Sequence, residues 1–110
     1  MIQGTIAKIE EKIQKADALD AGNRKELLSL ISNLRTEVTR LSETHLEQAE
    51  SIAGFTAVST HEATREKRDP RLLTPALDGL AWSVKGFEAT HPRLVQTVNS
   101  ICDTLANMGI

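Results

Sequence analysis

Cys102 is the only cysteine among 110 residues. A disulfide within one chain is therefore excluded, and so is a zinc centre built from several cysteines. Tyrosine is absent, and Trp82, Phe55 and Phe87 make up the whole Phe/Tyr/Trp complement. Strand-rich domains lean on aromatic and β-branched residues, so this poverty argues against a β-sandwich. Gly4, Gly22, Gly54, Gly79, Gly86 and Gly109 each stand alone. No glycine-rich phosphate loop can be assembled from them. No apolar run approaches the roughly 20 residues that a membrane-spanning helix needs. Lys8, Glu10, Glu11, Lys12 and Lys15 break up the first stretch, which removes the apolar core of a signal peptide. A cytoplasmic protein off the membrane is the expectation, in keeping with the cysteine count. The length suits one domain, and it excludes a TIM barrel or a full dinucleotide-binding fold, which need roughly 200 residues or more.

Charge of one sign is also lacking: 13 basic side chains face 15 acidic ones, for a net charge of -2. A dedicated nucleic-acid binder carries a basic surplus, so no nucleic-acid partner is expected. The charges are unevenly placed. Residues 42–63 carry Glu43, Glu47, Glu50 and Glu62 with no lysine or arginine, whereas Arg65, Lys67, Arg68 and Arg71 crowd the next nine residues against Glu66 and Asp69. That basic cluster could touch phosphate; a solvated loop is the simpler reading.

What is present is helical periodicity. Ile2, Ile6, Ile9, Ile13 and Ala16 fall in alternating steps of 4 and 3, one apolar stripe on a helix over about 2–16. Asp20 is suited to cap a second helix after a short connection, which makes the first two helices antiparallel. The second stripe, Leu27, Ile31, Leu34, Val38, Leu41, His45, Gln48, Ile52 and Phe55, predicts one long helix over 21–64. Its second half is weaker: His45 and Gln48 occupy seam positions, Gly54 interrupts, and Thr56, Val58, Ser59, Thr60 and Thr64 are indifferent helix formers.

Residues 65–74 read as a loop. Thr74-Pro75 is a helix start, threonine capping and proline at the first helical position. The third stripe, Leu73, Leu77, Leu80, Val84 and Phe87, continues in phase through His91, Leu94, Val98, Ile101, Leu105 and Met108. Pro92 lies inside it, removing an amide donor and disfavouring helix at His91. Either one long helix is kinked there, or helices over 75–90 and 92–108 meet there; the unbroken phase favours the kink. Gly109 is suited to end the last helix, with Ile110 folding back. Gly79 and Gly86, seven apart, would share one face and allow close helix packing.

The expected fold is all-α: a helical hairpin and a long C-terminal run, kinked or divided at Pro92, in a three- to four-helix bundle. Helix two, at 1.5 Å per residue, would span roughly 50–65 Å and outrun the first helix, of roughly 22 Å. Two helices cannot enclose a core, so Ile52, Phe55, Leu77, Leu80 and Trp82 are expected to form an apolar face half open to solvent. Faces of that kind mark association surfaces, and a homodimer is the simplest way to cover one. A different protein supplying the missing helices is the alternative.

Chemistry-bearing residues are sparse. His45, His61 and His91 lack the three- or four-residue spacing of paired metal ligands on a helix. A small metal- or ligand-binding bundle using them with nearby glutamates ranks third, and no cofactor is expected. His45 on the seam reads as a buried polar residue that sets register, or as a carboxylate's partner across a dimer; His91 reads as a cap or hinge. Cys102, beside Ile101, reads as buried and inert. Trp82 lies off its stripe and either widens the core or anchors a partner. No nucleophile is paired with a base, and an enzyme is not expected.

The stretch Phe87-Glu88-Ala89-Thr90-His91-Pro92-Arg93-Leu94, followed by Leu105-Ala106-Asn107-Met108-Gly109-Ile110, resembles an uncharacterised bacterial family of short helical proteins grouped as a domain of unknown function. The shared patterns are F-E-x-x-H-P-x-L and a terminal L-A-x-M-G-I. Leu19-Asp20, Arg24 and Leu27-Leu28 are similar to the first hairpin of that family. The resemblance covers roughly 1–41 and 76–110, and residues 42–72 look longer than the usual middle segment. It implies a family and no activity, and it singles out Phe87, Glu88, His91, Pro92 and Gly109 as candidates for a shared role.

Overall fold

The computed structural model describes residues 1–108. Five helices follow one another: α1 (Ile2–Lys15), α2 (Ala21–Ser42), α3 (Leu46–Thr64), α4 (Pro70–Ser83) and α5 (Pro92–Asn107). The fold is an all-α, compact five-helix bundle, with principal extents of 37 × 24 × 22 Å. The terminal turn expected at Gly109 and Ile110 lies outside the described residues.

The α1–α2 hairpin forms as its stripes dictate. Ile6, Ile9 and Ile13 of α1 pack with Leu27, Ile31, Leu34, Val38 and Leu41 of α2 in one buried core. Asp20 caps α2, its Oδ1 accepting from the Asn23 amide at 2.7 Å. Gln3 reaches Thr39, and Arg35 binds Gln3 and Glu10, so the two helices run antiparallel. Arg24 closes the hairpin. Its guanidinium donates to the carbonyls of Ile13 and Gln14 at 2.8 Å, Ala16 at 3.1 Å and Leu19 at 2.8 Å. The last carbonyls of α1 lack helical partners, and a planar five-donor fork is suited to satisfy several of them at once.

The long second helix is corrected to two helices. α2 stops at Ser42, where the Ser42 hydroxyl donates to the Thr39 carbonyl at 2.6 Å and the His45 amide folds back to Leu41. His45 has φ -139° and ψ 65°, outside the helical region. It is the exposed N-cap residue of α3 and is not a seam residue. The apparent phase through His45, Gln48 and Phe55 is coincidental. The buried side of α3 is Ala49, Ile52, Ala53, Thr56, Ser59, Thr60 and Ala63.

That small-residue face explains the architecture. α3 is the one helix that packs against all four others among the described residues. Alanine, serine and threonine let neighbouring backbones come close. Thr56, Thr60 and Thr64 donate back to the carbonyls of Ile52, Thr56 and Thr60 at 2.8, 2.8 and 2.7 Å, so these hydroxyls are satisfied within the helix. The expected two-helix upper half, with a seam left open, is therefore corrected. The chain folds back on itself, and the core closes around α3.

Two further boundaries differ. α4 begins at Pro70, not Pro75. Asp69 caps it through the Arg71 amide at 2.9 Å, and Pro75 sits inside the helix. The kink at Pro92 is corrected to a full break. α4 ends at Ser83, Gly86 turns the chain with φ +96°, and the Gly86 amide donates to Glu88 Oε1 at 2.9 Å. A positive φ is open to glycine at little cost. Gly86 thus serves the turn and not a helix–helix contact. Pro92 opens α5, where its missing amide costs nothing, and α5 runs antiparallel along α2, buried through Leu94, Val98, Ile101 and Leu105.

Candidate interaction surface

The residues expected to form one open face separate into two groups. Ile52 and Leu80 are fully buried in the chain's own core, and Leu77 is half-buried against it. Phe55 stays 41% exposed and Trp82 71% exposed. Val58 of α3 and Leu72 of α4 join them at 50% and 47%; neither was singled out in the sequence. The signal that could have found Leu72 is the outer row of α4, Leu72, Pro75, Gly79 and Trp82, in steps of 3, 4 and 3. It was masked by the more apolar inner stripe.

These residues share one side of the antiparallel α3–α4 pair. Phe55 crosses to α4 at Gly79, where its ring carbons would stand 2.4 and 2.6 Å from a Cβ. The absence of a side chain at Gly79 is what seats the ring. Phe55 and Val58 lie three apart on α3 and so project from the same side. The Lys85 ammonium lies 5.9 Å from the Trp82 ring centroid, within range of a weak cation–π contact. Asp69 and Arg71 pair at 2.9 Å near the start of α4. That pairing, with the Arg71 amide, holds the Asp69 carboxyl below its usual range.

Phe87 and His91 gather with His45 at a second place. His45 and His91 are the N-cap residues of α3 and α5, and Phe87 stands against both. The Phe87 ring meets His45 edge-on at 5.4 Å and His91 at 5.5 Å between centroids, with the two imidazoles 6.4 Å apart. The two caps match: φ -139°, ψ 65° at His45 and φ -136°, ψ 61° at His91. In each, the preceding threonine hydroxyl sits against Nδ1, Thr44 at 2.8 Å and Thr90 at 2.9 Å. Phe87, Glu88, His91 and Pro92 thus have identifiable structural work: packing two helix starts, fixing the Gly86 turn, capping and initiating α5. His61 lies apart, on α3 beside α1, with Lys12 Nζ 3.0 Å from its Nδ1.

Among the described residues no three His, Cys, Asp or Glu side chains converge as metal ligands. No described helix is long and apolar enough to cross a membrane. Cys102 is half-buried, 3.9 Å from the Leu77 carbonyl. Burial, with Asp103 and Asp78 nearby, pushes its thiol up to about 11.

The model of one protein family, DUF4404, a domain of unknown function, matches residues 2–110. The chain belongs to that family. The match runs through residues 42–72 as well as through the segments on either side. No curated protein matches the chain significantly, and no solved structure does.

Proposed function

We propose that this DUF4404 chain is a non-enzymatic helical interaction module that pairs with a second copy of itself through the α3–α4 face. The observation that carries the reading is the exposure of Trp82, Phe55, Val58 and Leu72 together on one side of a bundle whose core is otherwise closed. Scattered exposed hydrophobics need no explanation; a contiguous set containing a tryptophan is the composition of an interface centre.

Charge favours a second copy as the occupant. α3 carries Glu47, Glu50 and Glu62 and no lysine or arginine, while α4 and its flanks carry Arg65, Lys67, Arg68, Arg71 and Lys85 against Glu66, Asp69 and Asp78, a basic excess of two. In a two-fold pair each surface meets its own counterpart reversed. Crossing α3 of one protomer over α4 of its partner would set acidic flanks on basic ones and bury both Trp82 side chains.

The test is solution mass by light scattering across a dilution series, for the native chain and for Trp82→Ala and Phe55→Ala. A dimer that Trp82→Ala dissociates supports the reading. A native monomer at every concentration sinks it and turns attention to a different protein as the partner of this face.

A further inference from the structure

We propose that the groove between α1 and the C-terminal half of α3 binds a phosphate monoester. The groove encloses about 590 Å³ and is walled by Lys8, Lys12 and Lys15 from α1 and by His61, Thr64 and Arg65 at the end of α3. Among the described residues, Glu11 is the only acidic side chain lining it. In a chain of net charge -2, four permanent cations against Glu11 and the Glu62 carboxylate that holds Arg65 leave a local positive excess in a concave site, where field lines concentrate.

The cations are differently engaged. Lys15 is tied to Glu11 at 2.8 Å and Arg65 to Glu62 at 2.8 Å. Lys8 and Lys12 have no carboxylate partner among the described residues. Lys12 instead points its ammonium at His61 Nδ1, 3.0 Å away. Two nitrogen groups from different helices thus converge on one spot, with Lys8 one turn along α1. An oxyanion there would accept from several of them, and charge-assisted bonds of this kind are the strong ones.

A simpler account would make these lysines complements to the negative C-terminal end of α1. Arg24 already performs that service. It takes the carbonyls of Ile13, Gln14 and Ala16 together with that of Leu19. The ammonium groups of Lys12 and Lys15 go to His61 and Glu11 and to no backbone carbonyl. The groove is also larger than a bare phosphate. Ala16, Thr64 and the lysine stems offer wall for an organic body, which is why a monoester fits better than the free ion.

The test is a proton–nitrogen correlation NMR titration of the full chain, at constant ionic strength, with phenyl phosphate, with inorganic phosphate and with sodium chloride as control. Saturable shifts confined to Lys8, Lys12, His61, Thr64 and Arg65, tighter for phenyl phosphate, are the expected result. Equal saturation by both phosphates supports the anion subsite and overturns the organic wall. The double variant Lys8→Ala, Lys12→Ala leaves α1 a good helix former, its native spectrum checks the fold, and it should bind about tenfold or more weakly. Shifts without saturation, shifts scattered over Lys25, Lys67 and Lys85, or unchanged affinity in the double variant would overturn the proposal.

Discussion

Phe55 and Gly79 form a ring-and-gap pair: a methyl group on Gly79 would stand 2.4 Å from Cε1 of the Phe55 ring. In an open helix interior, glycine to alanine gains about 1 kcal/mol. Here the methyl must displace an aromatic ring, and overpacking of that kind costs about 1–3 kcal/mol. Gly79→Ala alone should therefore lower stability by about 1 kcal/mol, whereas in a Phe55→Ala background it should raise stability by about 1 kcal/mol. Urea denaturation of the four proteins of this double-mutant cycle measures the coupling. Additive effects would mean that the ring does not rest on Gly79.

Arg24 is the second position with an outsized role. Four carbonyls share one half-buried guanidinium. Hydrogen bonds to a charged group are worth about 1.5–3 kcal/mol in sum when one such group is removed, so Arg24→Ala should cost about 2 kcal/mol. Arg24→Lys should recover only part of this, because an ammonium cannot span four acceptors in a plane. Denaturant midpoints at equal slope are the measurement. A loss confined to a few tenths of a kcal/mol, typical of surface sites, would show the clamp to be dispensable.

The helices whose stability comes from large aliphatic stripes were legible in the sequence. Ile6-Ile9-Ile13, Leu27 through Leu41, and Leu94 through Leu105 are buried as their spacing predicts. α3 was not legible as the centre, because its core face is written in alanine, serine and threonine. Hydrophobic periodicity weighs these residues lightly, and they act through closeness more than through apolar area. The stripe that did stand out, through His45 and Phe55, ran on across a helix break. Asp69-Pro70 is as good a helix start by local rules as Thr74-Pro75, and Asp69, bonded to the Arg71 amide, is the cap that the chain uses. Trp82 and Phe55 are exposed as expected, whereas Ile52 and Leu80 belong to the core, which could be assigned only once α3 was known to be surrounded.

The buried polar face of α3 yields a contrast. Ser59 Oγ is buried without a hydrogen-bond partner among the described residues, whereas Thr60 Oγ1 donates to Thr56 at 2.8 Å. An unpaired buried hydroxyl carries a desolvation cost with no return. Ser59→Ala should thus raise stability by about 1 kcal/mol, while Thr60→Val, similar in shape, should lower it by about 1 kcal/mol. Thermal unfolding of both variants checks the signs. Destabilisation by Ser59→Ala would mean that the hydroxyl is satisfied in solution, for instance by a buried water.

Cys102 gives a prediction in pH. Its thiol is raised to about 11 by burial first and by Asp103 and Asp78 second. Only the thiolate attacks alkylating reagents. A rise from the ordinary thiol value of 9.0 to about 11 therefore implies a thiolate fraction about a hundredfold smaller at neutral pH. Iodoacetamide should modify the folded chain about a hundredfold more slowly than the urea-unfolded chain, a ratio the same thiol cannot show if it is freely exposed. The sign for stability follows from the same raise. The folded state holds the proton more tightly than the unfolded one, so below about pH 9 the group adds no pH dependence, and between about 9 and about 11 stability falls as pH rises. Cys102→Ala should flatten that alkaline limb relative to the native chain, read as the difference between their denaturation curves at matched pH. If the two limbs coincide and alkylation is equally fast in both states, the thiol is not held between α4 and α5 as described.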